Sequence, residues 1–316
     1  MPARLFGAQK PRRPGGGKII APGMKIELPF WPPAIVTVRV QYWLLNHHSS
    51  GSSLTALGVW LLLVLVLPLI MASASVREAC PTLKPLWWSV GCFTFSLVLV
   101  AAALWFWGAV EVRGDIGSVA GLTLVGAVWL AVSQWLVSWL GLSFRDDVLE
   151  RKNRAAMLAL GGANISIAIA FAAGNLGEGP SYSENIFSAA LSTGALLALW
   201  FMLELGGRVS CAIAEERDVA SGMRLGGLLL CWALILGRAV TGNWHSAAAT
   251  IHDFVRDGWP ALLLCLVALP VELLLQPSRQ RPFPAWPACG LVPVQCYVAG
   301  TVLWLWHLGR WEGMPQ

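Results

Sequence analysis

From residue 54 onward the chain runs through successive apolar stretches of about 20 residues, the length a helix needs to cross the hydrocarbon core of a bilayer. Candidate spans cover 54–76, 85–110, 116–140, 155–173, 185–205, 225–240, 254–275 and 286–306. The first five contain long charge-free runs. The sixth contains Arg238 and the seventh ends near Glu272. The eighth contains Pro287 and Pro293, which membrane helices accept better than soluble ones. For the weaker spans the alternative is a re-entrant or interfacial segment. The expected fold class is therefore all-α, a polytopic transmembrane helix bundle of about eight spans.

Composition agrees. Hydrophobic residues make up 56% of the 316 and charged residues only 12%, where a soluble domain carries about a quarter. So little charge does not cover a globular surface of this size, and lipid is the expected solvent and partner. The net charge of +5 does not suggest nucleic acid, because Lys and Arg are not interleaved with aromatics on one polar domain. Many of the 18 Trp residues, among them Trp87, Trp88, Trp105, Trp107, Trp139, Trp244, Trp259, Trp304 and Trp306, fall near expected span ends. There an indole keeps its ring in apolar surroundings and its N–H solvated. The seven Cys form no CxxC pair and mostly sit in apolar runs, where a free Cys acts as a small hydrophobe.

Residues 1–53 form a polar, basic arm rich in Pro and Gly, a composition that favours disorder. An artefactual start, with Met24 as the alternative, is the other reading. The stretch 28–46 is apolar but interrupted by Pro32, Pro33 and Arg39, and reads as interfacial or as a ninth crossing. No cleavable signal peptide is expected, since no apolar region lies near Met1.

Orientation follows from Lys and Arg. The odd-numbered loops hold Arg77, Lys84, Arg145, Arg151, Lys152, Arg154, Arg208, Arg217, Arg224, Arg279 and Arg281. The even-numbered loops and the C-terminal tail hold Arg113, Arg256 and Arg310. The odd loops are therefore expected in the cytoplasm, with both termini outside. The seven basic residues of the N-terminal arm argue the other way.

The chain also repeats itself. Glu150-Arg151-Lys152-Asn153-Arg154-Ala155-Ala156, ending in Gly161-Gly162, aligns with Glu215-Glu216-Arg217-Asp218-Val219-Ala220-Ser221, ending in Gly226-Gly227, at an offset of 65. Trp135 matches Trp200 and Gly177 matches Gly242 at the same offset. Each unit is a loop and two spans. The expected organisation is the arm 1–53, a diverged two-helix unit 54–110, repeat units 115–180 and 181–245, and a diverged unit with a tail, 250–316. Four repeated two-helix units give the eight spans.

Phe144 through Ala156, the run Ala173-Gly174-Asn175-Leu176-Gly177-Glu178-Gly179-Pro180, and Glu216 through Gly227 continuing to Gly237-Arg238-Ala239-Val240-Thr241-Gly242-Asn243-Trp244 resemble the bacterial membrane proteins of domain-of-unknown-function family 350 (YjfL-like). The resemblance is best over 115–255. The family's Asn-x-Ala-Ala signature stands at Asn153–Ala156 and is Asp218-Val219-Ala220-Ser221 in the second copy. The resemblance implies a bacterial inner (plasma) membrane location and a two-helix repeat. It implies no cofactor and no catalytic residue.

Asn153 and Asp218 suit N-caps of the repeated helices, because their side-chain oxygens accept free backbone N–H groups. The two helix starts would either hold an anion or simply be capped. Gly222 and Gly226 form a GxxxG, and Ala155, Ala159 and Gly162 give a matching small-residue stripe. Helix packing within the chain or between subunits is the expected role of these glycines, with Gly161 and Gly227 beside them. A homo-oligomer or a membrane partner is the association that fits. Arg238 is either a snorkelling side chain or an ion or substrate contact, with Asp253 or Asp257 in the adjoining loop as partners. Glu204 and Glu272 either ring a pore mouth or end their helices. Asn164 and Gln134 lie mid-span and are expected to face other helices, since a buried amide needs partners.

Residues 174–180 are Gly-rich but lack a Walker Lys. His245, His252 and Asp253 have no metal-specific spacing, and no metal or cofactor is expected. Two function classes stay open. A channel or permease subunit for an ion or small solute would place Arg238, Asn164, Glu204 and Glu272 on one polar path. A non-catalytic scaffold or stress-response component would be a dry bundle with 145–154 and 208–217 as a cytoplasmic docking face. An intramembrane enzyme ranks third, because no nucleophile–base or metal motif is present.

Overall fold

The computed structural model describes residues 83–177, 182–242, 246–277 and 287–309. The N-terminal arm, the segment 28–46 and the first expected span, 54–76, lie outside them. So do Glu178, Gly179 and Pro180, Asn243, Trp244 and His245, and Arg279 and Arg281.

All regular structure among the described residues is helical. The long helices are α1 (Leu83–Trp107), α2 (Ile116–Trp139), α3 (Arg154–Ala173), α4 (Tyr182–Gly207), α6 (Val219–Val240), α7 (Ala247–Leu275) and α8 (Val292–Leu308), and α5 (Val209–Ala214) is a single short turn between α4 and α6. Seven helices among the described residues are long and apolar enough to span a membrane. They correspond to the second through eighth expected spans. The chain is thus a multi-pass helical bundle suited to lipid.

Local chemistry sets the helix boundaries. α1 ends as the chain turns through Gly114, whose φ of +76° suits a residue without a Cβ. Asp115 then caps α2, accepting from Ser118 N at 2.7 Å. After α2 a π-helical turn, Phe144–Glu150, is capped by Ser143. Asp147 folds back on it, accepting from Ser143 N at 2.9 Å and from Arg151 Nη1 at 3.3 Å. Asn153 caps α3 through Ala155 N and Ala156 N, and Asp218 caps α6 through Ala220 N and Ser221 N.

Those two helix starts share their backbone geometry. Lys152 and Arg217, just before the caps, have φ of 53° and 56°. The caps follow at φ −78°, ψ 113° for Asn153 and φ −71°, ψ 109° for Asp218. Asn153 N donates to Asp147 O and Asp218 N to Ala212 O, again 65 residues apart on both sides.

α3 and α6 form the centre. Most of both helices is buried, and they meet backbone to backbone. A Cβ on Gly162 would strike Gly226, one on Gly226 would reach the Leu158 carbonyl at 2.7 Å, and one on Gly222 would strike Ala155. The GxxxG stripe therefore packs inside the chain. Gly161 instead receives the ring of Trp88 from α1, and Gly227 receives Val294 from α8. In lipid, such contact comes from dispersion between close backbones, since apolar side chains gain little by leaving tails for a neighbour.

Around this centre, α1 and α2 cover α3, and α4, α7 and α8 cover α6. Trp129 Nε1 donates to Thr193 Oγ1 at 3.1 Å, tying α2 to α4. Ser192 Oγ donates to Ala170 O at 3.0 Å, tying α4 to α3. Trp304 Nε1 donates to Asp257 O at 3.0 Å, and its ring sits edge-on to Trp259. α7 carries Pro260 and Pro270 in its interior; each leaves a carbonyl without its helical N–H partner. α8 buries Pro293, Tyr297 and Thr301 against the bundle, with Val294 and Trp304 beside them, while Leu303 and Trp306 are exposed.

Two sequence expectations need correction. The sixth span begins at Val219 and not at 225, so Arg224 lies within a helix and not in a cytoplasmic loop. Asp253, Arg256 and Asp257 belong to α7, which starts at Ala247, and are not loop residues. In both cases a charged residue reads as a loop marker in the sequence, whereas the helix carries it.

Candidate functional site

Asp218, Ser221 and Arg224 recur at three-residue steps along the first turns of α6 and so share one face. Arg224 is the sixth residue of the helix, about 8 Å along its axis. Its guanidinium points at α7, where Glu272 stands three residues before the last. Nε donates to Oε1 at 2.7 Å and Nη2 to Oε2 at 2.7 Å, a bidentate fork. Both side chains are 0% exposed.

The rest of the guanidinium is held as closely. Nη1 donates to Cys289 O at 2.6 Å, in the π-helical turn Pro287–Leu291 that leads into α8. Nη2 also donates to Ser221 Oγ at 2.9 Å. Ser221 Oγ in turn donates to Asp218 Oδ2 at 2.7 Å, on the carboxylate that caps the helix. One line of hydrogen bonds thus runs from the α6 N-cap to the buried pair and joins α6, α7 and the start of α8.

Tyr297 of α8 completes the site. It is 2% exposed and lies within electrostatic range of Glu272 and Arg224. Its hydroxyl has no hydrogen-bond partner among the described residues. A buried hydroxyl left unpaired costs free energy, because water no longer bonds it. On α6, Trp232 Nε1 is likewise buried without a partner among the described residues.

The other candidates lie elsewhere. Asn164, mid-way along α3, donates to Ser96 Oγ at 2.8 Å and to Cys92 O at 3.3 Å, and accepts from Gln134 Nε2 at 3.2 Å. That cluster ties α1, α2 and α3 together. Glu204 accepts from Ser210 N at 2.9 Å and Ser210 Oγ at 2.8 Å, holding the start of α5. Arg238 sits half-buried in the last turn of α6. Asp253 and Asp257 both pair with Arg256, not with Arg238. His252 is exposed beside Asp253. Among the described residues no hydrogen bond or ion pair links any two of Arg238, Asn164, Glu204 and Glu272.

Arg224 is the residue that sequence patterning does not reveal: Glu272 stands out near a span end, but the arginine reads as one of the loop charges that set topology. The available signal was the spacing Asp218, Ser221, Arg224 on one helical face. At the 65-residue offset Arg224 aligns with Ala159, which is fully buried in α3. Arg224 thus places a charge where the residue 65 positions earlier is a buried alanine.

Fold and site together define a polytopic helical membrane protein with a buried Arg–Glu pair near one end of its bundle. No family model, curated protein or solved structure matches the chain.

Proposed function

We propose that this chain is a permease or channel subunit for an ion or small solute, in a bacterial inner membrane, with the Arg224–Glu272 site on its path. The observation that carries this reading is the ion pair at 0% exposure between spanning helices. An ionisable residue within a span costs about 2.5–3.5 kcal/mol on insertion scales, so it persists where a pathway or relay needs it. The hydroxyl of Tyr297, within electrostatic range of the pair and without a hydrogen-bond partner among the described residues, supports an occupant that comes and goes. The resemblance to family 350 and the matched geometry before Asn153 and Asp218 support a bundle built from repeated two-helix units, an arrangement found among transporters. The basic odd-numbered loops support their placement in the cytoplasm.

The test is ion flux through the purified protein in liposomes. The reading expects flux in the wild type that Glu272→Gln alters. It expects Asn164→Leu, which lies in a separate cluster, to leave the ion selectivity unchanged. Absence of flux for every ion tried, with correctly inserted protein, overturns it.

A scaffold acting through cytoplasmic partners is the second reading. It is favoured by the close backbone packing of α3 on α6 and by the exposed ion pair Arg145–Glu150, at 3.3 Å, on the π-helical turn. Pull-down on the 145–154 and 208–217 segments, with a charge-reversed control, tests it.

A further inference from the structure

We infer that the Arg224 site binds a small inorganic anion together with one proton, Glu272 being the built-in occupant that the anion displaces. The inference deepens the permease reading and rests on it for its transport consequence, though not for binding.

The argument begins with charge. A carboxylate gripping a guanidinium through two parallel hydrogen bonds is chemically an anion in an anion site. At 0% exposure neither charge can be left alone, because an uncompensated buried ion costs several kcal/mol. Removing the carboxylate therefore requires two events at once. A proton must neutralise Glu272, and another anion must take its place on Arg224. The sum is Arg⁺·Glu⁻ + H⁺ + A⁻ → Arg⁺·A⁻ + Glu–H. No bond other than the carboxylic O–H forms, and the net charge of the site rises by one proton and falls by one anion.

The surroundings fit both states. Of the five guanidinium N–H groups, Nε, Nη1 and Nη2 make four hydrogen bonds among the described residues, two of them to Glu272. The bonds to Cys289 O and Ser221 Oγ hold the arginine in position while the other two change partner. Tyr297, whose buried hydroxyl has no partner among the described residues, provides a third donor to the incoming anion. Pro270, two residues before Glu272, removes one helical hydrogen bond where α7 must let the glutamate move. The titratable or charged groups that face Glu272 are Arg224 and Asp218 from α6 and Tyr297 from α8. From α4, Gly207 comes close to it: a Cβ there would lie 3.8 Å from Glu272 Cβ. Asp218 already bonds two backbone N–H groups and Ser221, which leaves Glu272 as the carboxylate that exchanges.

The experiment uses the full chain in detergent, with chloride and nitrate as probes and gluconate as the bulky reference at constant ionic strength. For the wild type, chloride or nitrate at about five times its Kd raises Tm by about 2–4 °C at pH 5 and takes up about one proton per site. At pH 8 both effects vanish, because the proton is no longer supplied. Glu272→Gln mimics the protonated acid, so its anion stabilisation appears at both pH values with no proton uptake. The double variant Arg224→Gln/Glu272→Gln shows no anion effect at either pH. Loss of the anion effect in the wild type at pH 5 and in Glu272→Gln overturns the inference, as does an effect that survives in the double variant. Binding with these signatures but without flux in liposomes keeps the site and removes the permease reading. Flux that moves no protons with the anion keeps the permease reading and removes the coupling.

Discussion

The guanidinium of Arg224 and the carboxylate of Glu272 meet in two hydrogen bonds of 2.7 Å, 48 residues apart in sequence and both fully buried. Each residue satisfies the other, and neither of the two is left as a lone buried charge. The pair also fixes how α6, α7 and the turn before α8 dock.

Glu272→Ala leaves Arg224 charged and buried without its counter-ion. The expected loss of stability is about 3–5 kcal/mol. Replacing both residues, as Arg224→Met with Glu272→Leu, removes the stranded charge and should recover most of that loss. Thermal unfolding in detergent measures it. A single variant as stable as the double would contradict a buried ion pair.

Asn164→Leu breaks the link from α3 to Ser96 and Gln134. Gln134 Oε1 is already buried without a partner among the described residues, and the substitution strips its amide nitrogen of one as well. The expected cost is about 1–3 kcal/mol. Gln134→Leu added to it should cost far less than the sum of the two singles, which a double-mutant cycle on the unfolding free energy reads directly.

The caps differ in what they hold. Asn153→Ala loses the two capping bonds of α3 and also the 2.6 Å bond from Nδ2 to Ile213 O. Asp218→Ala loses the α6 cap and the acceptor for Ser221. Each should cost about 0.5–2 kcal/mol, with Asp218→Asn recovering most of its share. Urea or heat unfolding of the three variants checks the order.

Gly162→Leu should prevent α3 and α6 from meeting, since even a Cβ there strikes the Gly226 backbone. Gel filtration should show loss of the monodisperse species. Gly194→Ala is the control: nothing lies within 4 Å of its added methyl, and removing a helical glycine should stabilise α4 by about 0.5–1 kcal/mol.

Cys211, exposed on α5, reports orientation. Partial burial first, then the neighbouring Glu215 and Glu216, push its thiol above the usual range. Thiolate is the reactive form, so labelling by an impermeant maleimide should speed up as pH rises from 7 to 9. With Cys211 as the sole cysteine, labelling in inside-out but not right-side-out vesicles is the outcome expected of cytoplasmic odd loops.

The sequence by itself determined the class of fold. Runs of apolar residues long enough for a bilayer leave the backbone no bonding partner but itself, so helices follow from length and composition alone. Seven of the eight expected spans stand among the described residues as helices. The spacing of Gly222 and Gly226 and the cap chemistry of Asn153 and Asp218 were also legible, because each acts within one or two turns of its own helix. What only the tertiary structure decided is which helix each polar residue faces. Arg224 reads as a loop charge until α7 brings Glu272 to it, since a helix tolerates an internal charge only when a neighbour neutralises it. For Arg238 the sequence leaves snorkelling and a pairing with Asp253 or Asp257 open, and the structure gives both aspartates to Arg256 on their own helix. A one-dimensional pattern records the periodicity of a helix, but the meeting of residues 48 apart depends on how two helices pack, which no local spacing encodes.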